Sequence, residues 1–226
     1  MDDRRDPGPK RTCPPTWIWV AAVIAWALGL TLSLFAAGDG VLDGDVRVAG
    51  WVQFPDGKLT EVLADVGNWI GSYATGAVIA IAAALWLGRL GRAQDVLLLG
   101  AVMGIRALNT TVKGWIDSPR PSPDLVRVTE RADGLGFPSG HSSGALLLFG
   151  ALAWISWQNI PPGMLRAVAI AGSILIVLLV GAARIFTGAH WPSDVLGGYL
   201  LATATLLTLI YLIGRFLRSG SWQWNF

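Results

Sequence analysis

Six long apolar segments constrain the fold of this chain more than any other feature. A bilayer-spanning helix needs roughly 20 mainly apolar residues. The segments that reach or approach this length are 17–37, 69–87, 96–112, 142–157, 165–185 and 192–213. Only 14% of the residues are charged, whereas soluble domains carry about 25%. We therefore predict an all-α, polytopic membrane protein in which six transmembrane helices form a bundle, with a short loop region on its extracytoplasmic side.

The first apolar segment follows a basic stretch, as the apolar part of a secretory signal peptide does. Its apolar run is longer than the 7–15 residues that are usual there, so we expect it to remain in the protein as the first span. The predicted organisation is a disordered, proline-containing cytoplasmic tail over 1–16, one membrane domain over 17–218, and a cytoplasmic C-terminal tail over 219–226.

Lysine and arginine residues predict the orientation of the chain, because cytoplasmic loops carry an excess of them. With six spans, both termini lie on one side. The cations on that side are Arg4, Arg5, Lys10, Arg11, Arg89, Arg92, Arg166, Arg215 and Arg218. We therefore expect a multi-pass protein of the cell (inner) membrane with cytoplasmic termini. The loops after spans 3 and 5 and the start of span 4 then face outward.

Charge and cysteine content exclude several classes of function. A formal net charge of +2 does not suggest nucleic-acid binding. The single cysteine, Cys13, excludes an intrachain disulfide and a cysteine-based structural zinc site. Two histidines are also few for a metal site, so the sequence predicts no metal and no other cofactor.

Three cations lie at the outward ends of predicted spans. Lys113 ends span 3, Arg120 follows it in the loop, and Arg184 closes span 5. A charge at membrane depth is costly and indicates function by default. The alternative is snorkelling of each side chain to the interface. Because all three fall on the face that also carries both histidines, His141 and His190, we favour an anion-binding site.

The segment 138–141, with the sequence Pro-Ser-Gly-His, opens span 4. Backbone N–H groups at a helix N-terminus bind anions, and a glycine lets a ligand approach the backbone closely. An ordinary helix start, with Ser139 as the cap, is the alternative. It does not explain a histidine, His141, at the membrane edge.

His190 and Asp194 are four residues apart. If Pro192 takes the first position of the last helix, Asp194 lies one turn from the imidazole. A carboxylate that accepts the N–H at Nδ1 leaves Nε2 available as nucleophile or base. The alternative is a local hydrogen bond that only orders the helix start.

These motifs together resemble the signature of the type 2 phosphatidic acid phosphatase (PAP2) superfamily. That signature is Lys-x6-Arg-Pro, then Pro-Ser-Gly-His, then Ser-Arg-x5-His-x3-Asp. The chain matches the first two parts in full, at 113–121 and 138–141. It matches the third over 183–194 except at Ala183, where the family usually has serine, a position outside the charged set.

The resemblance implies a role for each matched residue. His190 would take the phosphoryl group and form a phosphohistidine, Asp194 would orient His190, and His141 would protonate the leaving group. The phosphoryl oxygens would be bound by Lys113, Arg120, Arg184, Ser139 and the amide of Gly140. The cations would replace a metal ion, so no metal is needed.

Arg106 lies inside the third span, with Asn109 and Lys113 on roughly the same helical face. We favour a supporting role, in which Arg106 and Asn109 form a polar stripe beneath Lys113. The alternative is an arginine that packs in the bundle and pairs with a carbonyl of another helix.

The sequence therefore predicts a lipid phosphatase whose partners are the bilayer and a membrane lipid phosphate. We expect undecaprenyl (polyprenyl) diphosphate as the substrate, with phosphatidylglycerophosphate or phosphatidic acid as alternatives. A lipid-phosphate transporter without chemistry is a rival from another class, but binding alone needs neither histidine. A vanadate-dependent haloperoxidase is a third possibility, which the six spans disfavour.

Overall fold

The computed structural model describes residues 15–39, 41–112, 116 and 118–219, and the regular secondary structure of these residues is entirely helical. The helices are α1 (Thr16–Asp39), α2 (Asp45–Gln53), α3 (Lys58–Gly71), α4 (Tyr73–Arg89), α5 (Ala93–Val112), α6 (Gly140–Asn159), α7 (Met164–Phe186) and α8 (Pro192–Ser219). The predicted tails lie almost wholly outside the described residues.

The six predicted spans correspond to α1, α4, α5, α6, α7 and α8. By length and hydropathy, α1, α7 and α8 can each cross a bilayer, and the bent pair α3–α4 is a fourth if it counts as one span. Helices α5 and α6 have 20 residues each but contain more polar residues. The all-α prediction is therefore confirmed for this part of the chain, and the helix count is compatible with six spans.

Helix α6 occupies the middle of the bundle, which explains how it tolerates serine and glycine. It contacts α3, α4, α5, α7 and α8, and Leu148 and Ala151 on it are fully buried. A helix that faces other helices rather than lipid gains from small residues that let backbones approach. Around it, α1 packs along α8, α4 along α5, and α3 along α7.

The second predicted span began at residue 69, and this boundary is wrong. Residues 69–71 belong to α3, and the chain bends by 60° between α3 and α4. Ser72 at the bend has an extended backbone (φ −63°, ψ 152°), and its hydroxyl caps α4 by accepting the N–H of Thr75. Two helices, α2 and α3, precede α4 in the chain.

Arg106 holds the bend from the neighbouring helix α5. Its Nη2 donates to the carbonyls of Gly71, at 2.6 Å, and Ser72, at 2.8 Å. The Gly71 carbonyl lies at the C-terminal end of α3, where a helix leaves its carbonyls without an intrahelical partner. The Ser72 carbonyl also accepts the N–H of Gly76 in α4, at 3.1 Å. The buried cation thus supplies a partner for the end of α3 and ties the bend to α5.

Candidate active site

A turn of five residues joins α7 to α8 and sets Arg184 beside His190. Gly188 lies in the left-handed region (φ 68°), which favours glycine. Its N–H donates to the carbonyl of Ile185, and the N–H of Ala189 donates to that of Arg184. This is the Schellman pattern that ends many helices. The N–H of His190 also donates to the Arg184 carbonyl, at 3.1 Å, so the two residues share one rigid turn.

The start of α8 brings Asp194 to the imidazole of His190. The helix begins at Pro192, as the sequence predicted, and Oδ2 of Asp194 lies 3.3 Å from Nδ1 of His190. The same oxygen accepts the backbone N–H of Trp191 at 3.0 Å, which is half of a capping box. Asp194 is fully buried. It therefore contacts both the helix start and the histidine, which is the geometry that both sequence interpretations require.

Arg120 approaches the opposite nitrogen of the same ring. Its Nη1 lies 3.3 Å from Nε2 of His190. A guanidinium can only donate hydrogen bonds, and an ionised carboxylate can only accept them. With Arg120 at Nε2 and Asp194 at Nδ1, the contacts assign the ring proton to Nδ1 and a lone pair to Nε2.

Three backbone carbonyls hold Arg120 in this position. Nε of Arg120 donates to the carbonyl of Gly134 at 2.8 Å, and Nη2 donates to that of Asp133 at 3.0 Å, both in the loop between α5 and α6. Nη1 donates to the carbonyl of Ala189, in the turn between α7 and α8, at 2.7 Å. Burial lowers the pKa of the Arg120 guanidinium, and the Asp194 carboxylate opposes this shift. Arginine still remains cationic at neutral pH.

Ser139 and Gly140 stand at the start of α6, directly against α8. The N–H of Ser139 donates to the Asp194 carbonyl at 3.0 Å, which ties the two helix starts together. Ser139 occupies the N-cap position, but its side chain makes no capping hydrogen bond. Its hydroxyl instead accepts from Ser142, at 3.0 Å. The alternative of Ser139 as a side-chain cap is therefore not what the structure shows.

His141 lies in the first turn of α6, where its ring packs against the end of α3. A methyl group on Gly71 would lie 2.7 Å from Cγ1 of Val180 and 3.0 Å from Cδ2 of His141, so this close packing favours a glycine. Arg184 and His190 are both within electrostatic reach of the ring. The two histidines thus belong to one cluster of charged groups.

Arg184 is almost completely buried, at 2% exposure. Its Nη1 donates to both carboxylate oxygens of Glu130, at 2.9 and 2.8 Å, and to Oδ1 of Asn68 at 2.8 Å. Sequence reasoning missed both partners, since they come from the loop and from α3. Next to Arg184, Ala183 is buried against α3, where a methyl group on Gly67 would be only 2.7 Å from its Cβ.

Three predicted residues remain to be placed. Lys113 lies outside the described residues. Asn109 lies in α5, near its end, and only its backbone is described. Arg106 contacts the carbonyls at the α3–α4 bend, as described above, which agrees with the alternative of a packing arginine. The polar stripe beneath Lys113 stays a prediction, because Lys113 and the side chain of Asn109 lie outside the described residues.

Two further residues that the sequence did not single out fix the elements of the site. Asp45 of α2 is buried and accepts from the N–H and the hydroxyl of Ser193, at 2.9 and 2.7 Å. Gln53 of α2 donates to the carbonyls of Arg127, Ile185 and Phe186. Helix α2 therefore holds both the end of α7 and the start of α8. In the sequence, Asp45 is distinguished only by its position in the first turn of a short helix.

The arrangement has the parts that phosphoryl transfer requires. An oriented imidazole presents the lone pair of Nε2, a second histidine is close, and Arg120 and Arg184 can neutralise charge on phosphoryl oxygens. Phosphoryl transfer depends mainly on such positioning and charge stabilisation. All of these groups meet at one end of the helical bundle.

Comparison with protein families agrees with this geometry. The profile of the PAP2 superfamily matches residues 94–218, which include every candidate site residue. That range also contains α5 to α8 and the loop that carries Arg120.

Named relatives are similar over much of the chain. Phosphatidylglycerophosphatase B of Bacillus subtilis (strain 168) is 31% identical over 163 residues, which are 70% of this chain and 75% of that protein. Undecaprenyl-diphosphatase BcrC of the same organism is 30% identical over 149 residues, 62% of this chain and 70% of that protein. The putative undecaprenyl-diphosphatase YbjG of Escherichia coli (strain K12) is 29% identical over 127 residues, 53% of this chain and 58% of that protein.

Solved structures share the fold. The crystal structure of a transmembrane PAP2-type phosphatidylglycerolphosphate phosphatase from Bacillus subtilis superposes with a TM-score of 0.70 at 20% identity, covering 91% of this chain and 99% of that one. The structure of Aquifex aeolicus LpxE gives a TM-score of 0.55 at 19% identity, covering 80% of this chain and 99% of that one.

Proposed function

Because this chain belongs to the PAP2 superfamily, we propose that it is a membrane lipid phosphatase that works through a phosphohistidine on His190. One observation carries the proposal. The lone pair of His190 Nε2 faces the cation Arg120, while Asp194 holds the other ring nitrogen. The nucleophilic nitrogen and the cation that would attract a phosphoryl group therefore lie next to each other.

In the first step, Nε2 of His190 attacks the phosphorus atom of the substrate. The bond from phosphorus to the leaving oxygen breaks as the bond from Nε2 to phosphorus forms. His141 carries a proton once the phosphate anion is bound beside it, and it gives this proton to the leaving oxygen. The positive charge that develops on the His190 ring is stabilised by the Asp194 carboxylate at 3.3 Å.

In the second step, water attacks the phosphohistidine. His141, now neutral, takes a proton from the water, and the electron pair of the bond between nitrogen and phosphorus returns to His190. Inorganic phosphate leaves, and His141 is again protonated for the next cycle. Dividing hydrolysis into two transfers is the usual advantage of a covalent intermediate.

The phosphoryl oxygens are bound by Lys113, Arg120, Arg184, Ser139 and the amide of Gly140. Ser139 and Gly140 contribute through the start of α6, where the helix leaves backbone N–H groups without intrahelical partners. These cations and backbone dipoles stabilise the negative charge on the phosphoryl oxygens in the transition state, so the reaction proceeds without a metal ion.

The site faces the extracytoplasmic side of the cell membrane, and both termini are cytoplasmic. The distribution of lysine and arginine supports this orientation. A lipid at that interface keeps its tail in the bilayer while its phosphate reaches the outer end of the bundle. The substrate then enters from the side, between helices.

We place undecaprenyl diphosphate first among the substrates, since two of the relatives above carry that activity in their names. Phosphatidylglycerophosphate is the second candidate, because it appears in the name of the relative with 75% coverage. Both present a terminal phosphate at the membrane surface.

Phosphate release from a panel of lipids tests the proposal. The purified protein in detergent is given undecaprenyl diphosphate, phosphatidylglycerophosphate and phosphatidic acid in separate reactions. We expect release from at least one, at a rate that falls in the variant His190→Ala. A transporter without chemistry would bind these lipids and release no phosphate from any of them, which would refute the proposal.

A further inference from the structure

Arg184 is held by a closed set of hydrogen bonds that the reaction itself does not require. Its Nη1 contacts Glu130 and Asn68, and Nδ2 of Asn68 donates to Oε2 of Glu130 at 2.9 Å. The three residues come from α7, the loop between α5 and α6, and α3. A buried cation needs such a partner, since an unpaired charge in the protein interior is costly.

The position of Glu130 is fixed by its backbone. The N–H groups of Thr129 and Glu130 both donate to the carbonyl of Thr187, at 2.9 and 3.2 Å. Thr187 follows α7 directly, three residues after Arg184. Glu130 is thus anchored on the same turn as the arginine it contacts, while its side chain stays 40% exposed.

The Nε of Arg184 takes no part in these hydrogen bonds. Within the described part of the chain, the buried Nε of Arg184 has no hydrogen-bond partner. Glu130 and Asn68 occupy the Nη1 side and leave Nε for a ligand. A phosphoryl oxygen would satisfy this donor, and it would then share one cation with the Glu130 carboxylate.

We propose that Glu130 is a counter-ion of Arg184 that limits the affinity of the site for phosphate, and that Asn68 orients the arginine without changing its charge. This inference rests on the proposed function, because it assigns Arg184 to the phosphoryl group. The carboxylate repels the bound anion at close range, so inorganic phosphate, the product, is released rather than retained. Glu130 is therefore a residue that sets the affinity for phosphate by acting through Arg184.

Direct binding of inorganic phosphate to the full-length protein in detergent tests this. Isothermal titration calorimetry at pH 7.5 compares the wild type with Glu130→Gln, which removes the charge and keeps the length of the side chain. We expect the dissociation constant to fall on the order of tenfold, because a negative charge near the anion is removed from a poorly solvated site. The constant for inhibition by vanadate should fall in parallel.

Two further variants separate this role from a purely structural one. Asn68→Ala removes a hydrogen bond to Arg184 but no charge, so the dissociation constant should stay the same or rise. Asp124→Asn makes the same charge change in the same loop, at a carboxylate that contacts Ser122, and should alter binding less than twofold. A structural cluster would instead give Glu130→Gln and Asn68→Ala the same loss of binding and the same lower melting temperature.

Unchanged or weaker phosphate binding in Glu130→Gln would overturn the proposal. If that variant does not fold, Glu130→Ala replaces it and must shift binding in the same direction. Failure of the proposed function looks different: the wild type releases no phosphate from any lipid, while the binding measurements still give the sign of the Glu130 effect.

Discussion

Nη1 of Arg120 lies 3.3 Å from Nε2 of His190, although the two residues are 70 positions apart in the chain. The contact needs a donor-only group and an acceptor nitrogen, so it defines the tautomer of the ring. It also occupies the place where a phosphoryl oxygen would bridge the cation and the nucleophile. A phosphoryl group that reaches Nε2 must displace this contact, and the ring is then already in the tautomer that the proposed attack requires.

The variant Asp194→Asn tests the tautomer. The amide oxygen can still accept the N–H of Trp191, so the helix start should survive. The charge that stabilises the imidazolium is lost in either amide orientation, and the orientation that turns NH2 toward Nδ1 also gives up the N–H of Trp191. We expect kcat to fall by roughly 10⁴-fold, by analogy with the effect of such a change in a catalytic triad. Phosphate release from a lipid substrate measures this; a near-normal rate together with a normal melting temperature would contradict it.

Gly144→Ala tests the packing of Arg106. A methyl group there would lie 2.5 Å from Nε and 2.8 Å from Cζ of Arg106, whose guanidinium is held by the α3–α4 bend. Overpacking of this kind costs about 1–3 kcal/mol, so the melting temperature in detergent should fall. Gly100→Ala in α5 is the matched control, because nothing lies within 4 Å of its new methyl group. Equal melting temperatures for the two variants would argue against the role of Arg106.

Chelation tests the assignment of charge neutralisation to Lys113, Arg120 and Arg184. Phosphatase activity should be unchanged after treatment with a strong chelator, because these side chains supply the positive charge. Vanadate should inhibit, as it imitates phosphate. Activity that disappears on chelation and returns with a divalent ion would reject the metal-independent site.

A topology reporter tests the orientation. Fused after Phe226, it should report a cytoplasmic C-terminus, since the lysine and arginine residues favour that side. A fusion in the loop between α5 and α6, after Asp124, should report the opposite side. If both signals are reversed, the site faces the cytoplasm and must act on lipids of the inner leaflet.

Local patterns allowed the sequence to predict much of this structure. Helices α1, α7 and α8 are long apolar runs, and their predicted limits differ from the observed ones by a few residues, apart from the C-terminal end of α8. The proximity of His190 and Asp194 was also predictable, because Pro192 fixes the first turn of a helix and the two residues are four apart. Contacts between residues within one helical turn can be predicted from their spacing in the sequence.

Contacts between distant segments could not be predicted. The bend at Ser72 depends on Arg106, which belongs to another helix and lies 34 residues further along. Glu130 and Asn68 are 54 and 116 residues from Arg184, and nothing local distinguishes them from other polar residues. Such positions become visible only when the packing of α3 on α7 is known.

The two histidines have different roles in this account, and substrates with different leaving groups separate them. His141→Ala should reduce the rate on a lipid phosphate much more than on p-nitrophenyl phosphate, because p-nitrophenolate needs little protonation as it leaves. His190→Ala should abolish turnover of both. A similar loss on both substrates in His141→Ala would remove the evidence for a general acid.

Covalent labelling tests the central claim most directly. A lipid substrate with radioactive terminal phosphate is mixed with the wild type, His190→Ala and His141→Ala, and each reaction is quenched under conditions that preserve phosphohistidine. The account predicts label on the wild type and on His141→Ala, and none on His190→Ala. Label that persists in His190→Ala and disappears in His141→Ala would contradict it and show that His141 is the nucleophile.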